Sequence, residues 1–142
     1  MNIKEIWSEA DFEQMGWHDS HIHAISFPNK DLELSLDIDY LFKSIPDDTS
    51  SLYNFWVSPC ILLFFNVLNL KISIDFQNTI GLDILDINRL NPRLSPNGKM
   101  TLWDFEIVTD KGYIKFESSG YRQVVKKQPI LSQSQVLARE KW

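Results

Sequence analysis

The chain has 142 residues, a formal net charge of −5 and a hydrophobic share of 44%. A chain of this size and composition folds as one ordinary domain without help from metal or disulfides, and it is neither disordered nor long enough for a (β/α)8 barrel. Cys60 is the only cysteine, so an intrachain disulfide and a cysteine-based zinc cluster are both excluded.

In chain order, Ser8 and Asp11 carry the spacing of a capping box, which predicts a short helix over residues 9–15 stopped by Gly16. The hydrophobic period then switches to two. Residues 21–27 read as a strand, followed by a turn at 28–31. Leu32, Leu34, Leu36, Ile38 and Tyr40 alternate with Glu33, Ser35, Asp37 and Asp39, the pattern of a half-buried strand paired in a hairpin with the first. Residues 43–53 read as an exposed loop. Residues 55–67 are apolar on both faces, as in a central strand, with a bulge or break expected at Pro59 because proline has no N–H for the ladder.

Leu70, Ile72, Ile74 and Phe76 alternate with Lys71, Ser73 and Asp75 in a further strand, and residues 82–87 continue the sheet. Residues 91–98 read as a second loop. Trp103, Phe105 and Ile107 mark the next strand. Asp110, Lys111 and Gly112 form a tight turn, and residues 113–118 return with Ile114 and Phe116 facing in. Gly120 ends the strands, and Ser132 caps a last helix over residues 133–140. The expected fold is mainly β. About seven mostly antiparallel strands form a sandwich or a curled half-barrel, with a short helix near each terminus, in a single domain spanning residues 1–142.

Charge is unevenly distributed. Five of the fourteen basic residues but only one of the nineteen acidic ones lie in residues 119–142, so the body is near −9 and the tail near +4. An acidic body repels nucleic acid and attracts a basic protein partner, unless the tail lies on that body and neutralises it. Met1–Ala10 does not read as a signal peptide. The most apolar stretch, residues 57–67, is about half the ~20 residues of a membrane helix, so a soluble cytoplasmic protein is expected, with no membrane partner.

The most chemical segment is Trp17-His18-Asp19-Ser20-His21-Ile22-His23. On a strand, Asp19, His21 and His23 share one face. With His18 nearby, imidazoles and a carboxylate at that spacing suit zinc or iron; the plainer reading is a polar strand face and a capped turn. Glu33, Asp37 and Asp39 form an acidic stripe, which with Asp75 is either a landing area for a basic partner or a solvated face. Cys60 lies in an apolar run without nucleophile context. There is no nucleophile elbow and no phosphate-binding glycine loop, so no catalytic residue and no cofactor are assigned.

His18-Asp19 followed by Ile22, then Phe65-Asn66-Val67 followed by Leu70, then Asp75-Phe76-Gln77-Asn78-Thr79-Ile80 make a joint pattern. It resembles the immunity-protein-50 family of bacterial polymorphic toxin systems, over residues 16–87, with a looser echo at residues 112–116. The resemblance implies a small cytoplasmic protein that binds and blocks a toxin, with no catalytic residues. His18, Asp19, Asn66, Gln77 and Asn78 are then structural: Asn78 takes a tight-turn conformation, Gln77 and Asn78 bond local backbone, and His18-Asp19 orders the beginning of the first strand. Two other functions fit the residues: a metal-binding β-domain or metal-dependent enzyme built on His18–His23, and a β-domain whose aromatic-rich cavity holds a small apolar molecule.

Overall fold

The computed structural model describes residues 2–28, 32–46 and 53–139. The sequence-expected turn at 28–31, the loop at 43–53 and the last residue of the C-terminal helix therefore lie partly outside the described residues. Ten strands are present: β1 (Ile6–Ser8), β2 (Ser20–Ser26), β3 (Leu34–Pro46), β4 (Tyr53–Phe65), β5 (Leu68–Ile74), β6 (Asp83–Leu94), β7 (Thr101–Thr109), β8 (Gly112–Ser118), β9 (Gly120–Val125) and β10 (Ile130–Ser132). They form one antiparallel sheet in the order β1-β9-β4-β3-β2-β6-β7-β8-β5, with β10 pairing along part of β4. The sheet is not closed, since β1 and β5 are its two ends.

Seven strands is therefore too few, and there is one sheet where a sandwich has two. β1 and β10 have three residues each, too short to show a period of two. Gly120 begins β9 instead of ending the strands. Residues 91–94 belong to β6, because a bulge between Leu90 and Arg93, with Asn91 at φ 55°, carries the strand past Pro92.

Pro59 does not break β4, which pairs with β3 in register there, Asp39 opposite Pro59. On the other edge of β4, β9 covers Cys60 to Phe65 and β10 covers Phe55 to Val57. The Pro59 carbonyl accepts from Lys126 N at 2.9 Å, at the changeover between those two partners. The missing donor thus falls where the ladder changes hands. The bulge lies instead between Leu41 and Lys43.

Helix is minimal. Residues 9–14 (Glu9–Gln14) form one 3-10 stretch, with Asp11 Oδ2 accepting from Ser8 N at 2.9 Å. The C-terminal helix is absent over the described residues 133–139. Hydroxyls take its backbone donors: Ser132 Oγ accepts from Ser134 N and Ser134 Oγ from Val136 N. Such local serine bonds compete directly with helical ones.

The alternating residues do the burying. Leu34, Leu36, Ile38 and Tyr40 of β3 point inward with Ile22, Phe64, Ile107, Ile114 and Phe116. Phe64 of β4 stands 4.7 Å, centroid to centroid, from Phe116 of β8, and 5.2 Å from Phe105 of β7. These strands lie in opposite halves of the sheet order, so the sheet bends over onto a shared aromatic core. Trp17 joins that core, with its indole Nε1 donating to the buried Gln123 Oε1 at 2.8 Å. Among the described residues no helix is long and apolar enough to cross a membrane.

The Asp110-Lys111 turn is as expected, with Thr109 opposite Gly112. Gly112 has φ 147°, and a side chain there would begin 1.9 Å from the Ser73 carbonyl oxygen of β5. Glycine is the residue that lets β5 approach.

Candidate functional site

Of the residues singled out by type, His21, His23, Asp37 and Asp39 lie together on β2 and β3. His21 pairs with Asp39 across the β2–β3 ladder, and a bulge between Ile22 and Ala24 sets His23 as the extra residue. The bulge re-aims the second ring: the His21 and His23 rings meet edge to face with centroids 4.8 Å apart. Each ring engages its own carboxylate. His21 Nδ1 lies 2.7 Å from Asp83 Oδ1, and His23 Nε2 lies 2.6 Å from Asp39 Oδ2. The third ring is elsewhere: His18 is mostly exposed, its Nδ1 3.0 Å from the Leu85 carbonyl oxygen and its Nε2 3.5 Å from Asp19 Oδ2. The three histidines read as metal ligands thus face three separate carboxylates, Asp19, Asp83 and Asp39, and among the described residues no group of three or more His, Cys, Asp or Glu is placed to hold a metal ion.

Asp19 has φ 67°, its N–H donates to the Ile84 carbonyl at 2.8 Å, and Ser20 N donates to the Trp17 carbonyl. Asn66 has φ 53° and its Nδ2 donates to Ser119 Oγ at 2.8 Å, tying the end of β4 to the β8–β9 corner. In the 75–80 segment Gln77 and Asn78 are the central residues of a turn closed by Thr79 N donating to the Phe76 carbonyl at 3.2 Å; Gln77 has φ 54° and its N–H donates to Asp75 Oδ1 at 2.9 Å.

The acidic stripe is not a uniform landing area. Glu33 precedes β3 and is half-buried. Asp39 is 0% exposed. The C-terminal residues 133–139 cross over it: Leu137 N donates to Asp39 Oδ2 at 2.7 Å, and Arg139 Nη1 lies 2.6 Å from Asp39 Oδ1. The same guanidinium donates through Nη2 to Asp37 Oδ1 at 3.0 Å. Burial acts to lower the Arg139 pKa, but its bonds to Asp37 and Asp39 outweigh this and hold it above the ordinary value. Arg139 of the basic tail therefore lies on the acidic body, and with residues 133–139 in this position Asp39 is covered. A paired, bonded counter-ion is what such a buried carboxylate requires.

Beside this ion network runs a concavity of about 310 Å³, lined by His21, His23, Ile25, Phe76, Ile80 and Leu82. Phe76 was expected to face in at the end of β5. The strand stops at Ile74, and Phe76 is 42% exposed, while Ile80 on the same loop is 99% exposed. Acids rim them. Asp75 precedes Phe76 and its N–H donates to the Lys111 carbonyl. Asp83 N donates to Asp110 Oδ1 at 3.0 Å. Burial acts to raise the Asp110 pKa, but the Asp83 N–H and Lys111 ammonium outweigh it and hold the carboxyl below its ordinary value. A second concavity of about 410 Å³ over β7, β8 and β5 carries two ion pairs, Arg93 on Asp104 at 3.0 Å and Lys115 on Glu106 at 3.3 Å, where the Phe76 loop carries one, Lys111 on Asp110 at 3.2 Å.

Arg139, Leu137 and Ile80 are the members that sequence patterning missed. The only signal for Arg139 was the opposite charge of tail and body. No protein-family model, no curated protein and no solved structure matches this chain.

Proposed function

We propose that the protein is a non-enzymatic interaction protein, an immunity protein that binds and neutralises a basic toxin in the cytoplasm. The observation that carries this reading is the loop between β5 and β6. Ile80 and Phe76 stand out into solvent with Asp75, Asp83 and Asp110 around them. An apolar centre with a polar rim is the anatomy of a protein-binding patch, and a rim whose three acids outnumber the one base, Lys111 on Asp110 at 3.2 Å, favours a basic partner. The curled half-barrel serves as the rigid scaffold that presents the loop. The His18–Asp19, Asn66 and Gln77 segments, which carry the family resemblance, then act by shaping backbone and not by chemistry.

The test is co-expression with the product of the neighbouring open reading frame. The expected result is rescued growth and a complex recovered by pull-down, weakened by Ile80→Asp and by added salt. Unchanged toxicity with no complex removes that partner. A complex indifferent to Ile80→Asp removes the loop as the docking surface.

A further inference from the structure

We infer that Asp37 and Asp39 form an arginine-recognition slot that residues 133–139 hold shut, and that a basic partner opens it by placing an arginine of its own where Arg139 sits. The partner half of this inference rests on the function proposed above; the slot itself does not.

The slot is built for a guanidinium. Arg139 Nη2 donates to Asp37 Oδ1 at 3.0 Å and to the Ile38 carbonyl at 3.3 Å, Nε reaches Asp37 Oδ2 at 3.5 Å, and Nη1 faces Asp39 Oδ1 at 2.6 Å. Two carboxylates and a carbonyl meeting one planar fork is recognition that an ammonium does not reproduce. Part of the floor is held independently of the occupant, because His23 Nε2 of the neighbouring strand stands 2.6 Å from Asp39 Oδ2.

The strap, by contrast, is held at few points along its length. Residues 133–139 form no strand or helix. Apart from the serine turns, among the described residues Leu137 N and Arg139 hydrogen-bond this segment to the body. An open recess of about 260 Å³, lined by Pro59, Gln128, Ile130, Leu137 and Arg139, runs along the strap. Releasing the strap breaks no rung of the ten-stranded ladder. His23 lines both the slot and the groove that leads to Phe76 and Ile80, so one extended basic segment laid along the groove reaches both.

The test uses a chain ending at Ser132 and, in case that chain does not fold, the full chain carrying Arg139→Ala. The probe is a synthetic peptide of residues 133–142, alongside a twin with Arg139→Lys, titrated by calorimetry. The expected result is that the opened chain binds the arginine peptide at least about tenfold more tightly than the lysine twin. Asp37→Asn abolishes the difference, and the unmodified full chain binds either peptide at least about tenfold more weakly than the opened chain binds the arginine peptide. Equal binding of the two peptides, or equal binding by the unmodified chain, overturns the slot. If the peptides behave as expected but toxin rescue fails, the slot stands and the toxin reading falls.

Discussion

His23 Nε2 lies 2.6 Å from Asp39 Oδ2, and Asp39 has no contact with water. Asp39 carries Arg139 on its other oxygen and Leu137 N on the same one, so a single carboxylate joins β2, β3 and the C-terminal segment. Removing it leaves Arg139 with Asp37 as its one remaining carboxylate among the described residues and takes the acceptor from His23 and Leu137 N. Asp39→Ala is expected to cost about 3–5 kcal/mol of unfolding free energy, whereas Asp37→Ala, whose carboxylate is partly solvated, costs about 1 kcal/mol or less. Urea unfolding of the two variants checks this. Equal losses would mean that Asp39 is not the anchor.

Alkaline pH should weaken the fold. Burial pushes the Cys60 thiol up to about 12 and raises Tyr40 and Tyr121 above the ordinary phenol value. The unfolded chain therefore loses these protons first as pH rises, and binds fewer protons than the native state in that window. Stability is unaffected by these groups below an ordinary thiol pKa of about 8.5 and falls as pH rises towards 12. The urea midpoint should be flat from pH 7 to 8.5 and decline above. Cys60 should also resist a thiol reagent at pH 8 until urea is added. Rapid labelling of the native protein would contradict its burial.

Gly112→Ala is expected to cost at least about 2 kcal/mol, since it strains a positive φ and drives a methyl into the Ser73 carbonyl oxygen. Gly16→Ala meets nothing within 4 Å and should stay within about 0.5 kcal/mol of the native chain. Hydrogen exchange locates the damage: the β5 amides should lose protection first, because β5 pairs only with β8.

Trp17→Phe removes the indole donor from Gln123, which is fully buried. An acceptor left dry costs about 1–3 kcal/mol, before any cavity term. Adding Gln123→Leu to that variant should restore part of the loss, because no polar group is then left unpaired. A double-mutant cycle measures the coupling; strict additivity would show that the bond contributes nothing.

Much of the β-structure was legible in local order. Leu34, Leu36 and Ile38 are completely buried where their alternation with Ser35 and Asp37 says they should be, and the Asp110-Lys111 turn closes the hairpin it announces. Such features depend on neighbours one or two residues away, and the pleat turns that spacing directly into faces. Illegible were the three-residue strands and the passage of β4 past Pro59, which depends on β9 ending where β10 has yet to begin.

For the candidate site the division is sharper. Alternation placed Asp37 and Asp39 on the face away from the core, but it is silent on whether anything covers that face. Arg139 reaches them from about a hundred residues further along the chain, and it turns Asp39 from a solvated acid into a sealed counter-ion. Likewise His21 and His23 share a face by spacing alone, yet only the pairing of β2 with β3 and β6 gives each its own carboxylate. Side-chain period is a property of the strand, carried by the residues themselves. Burial and ion pairing are properties of whatever the folded chain brings across, and no local pattern encodes them.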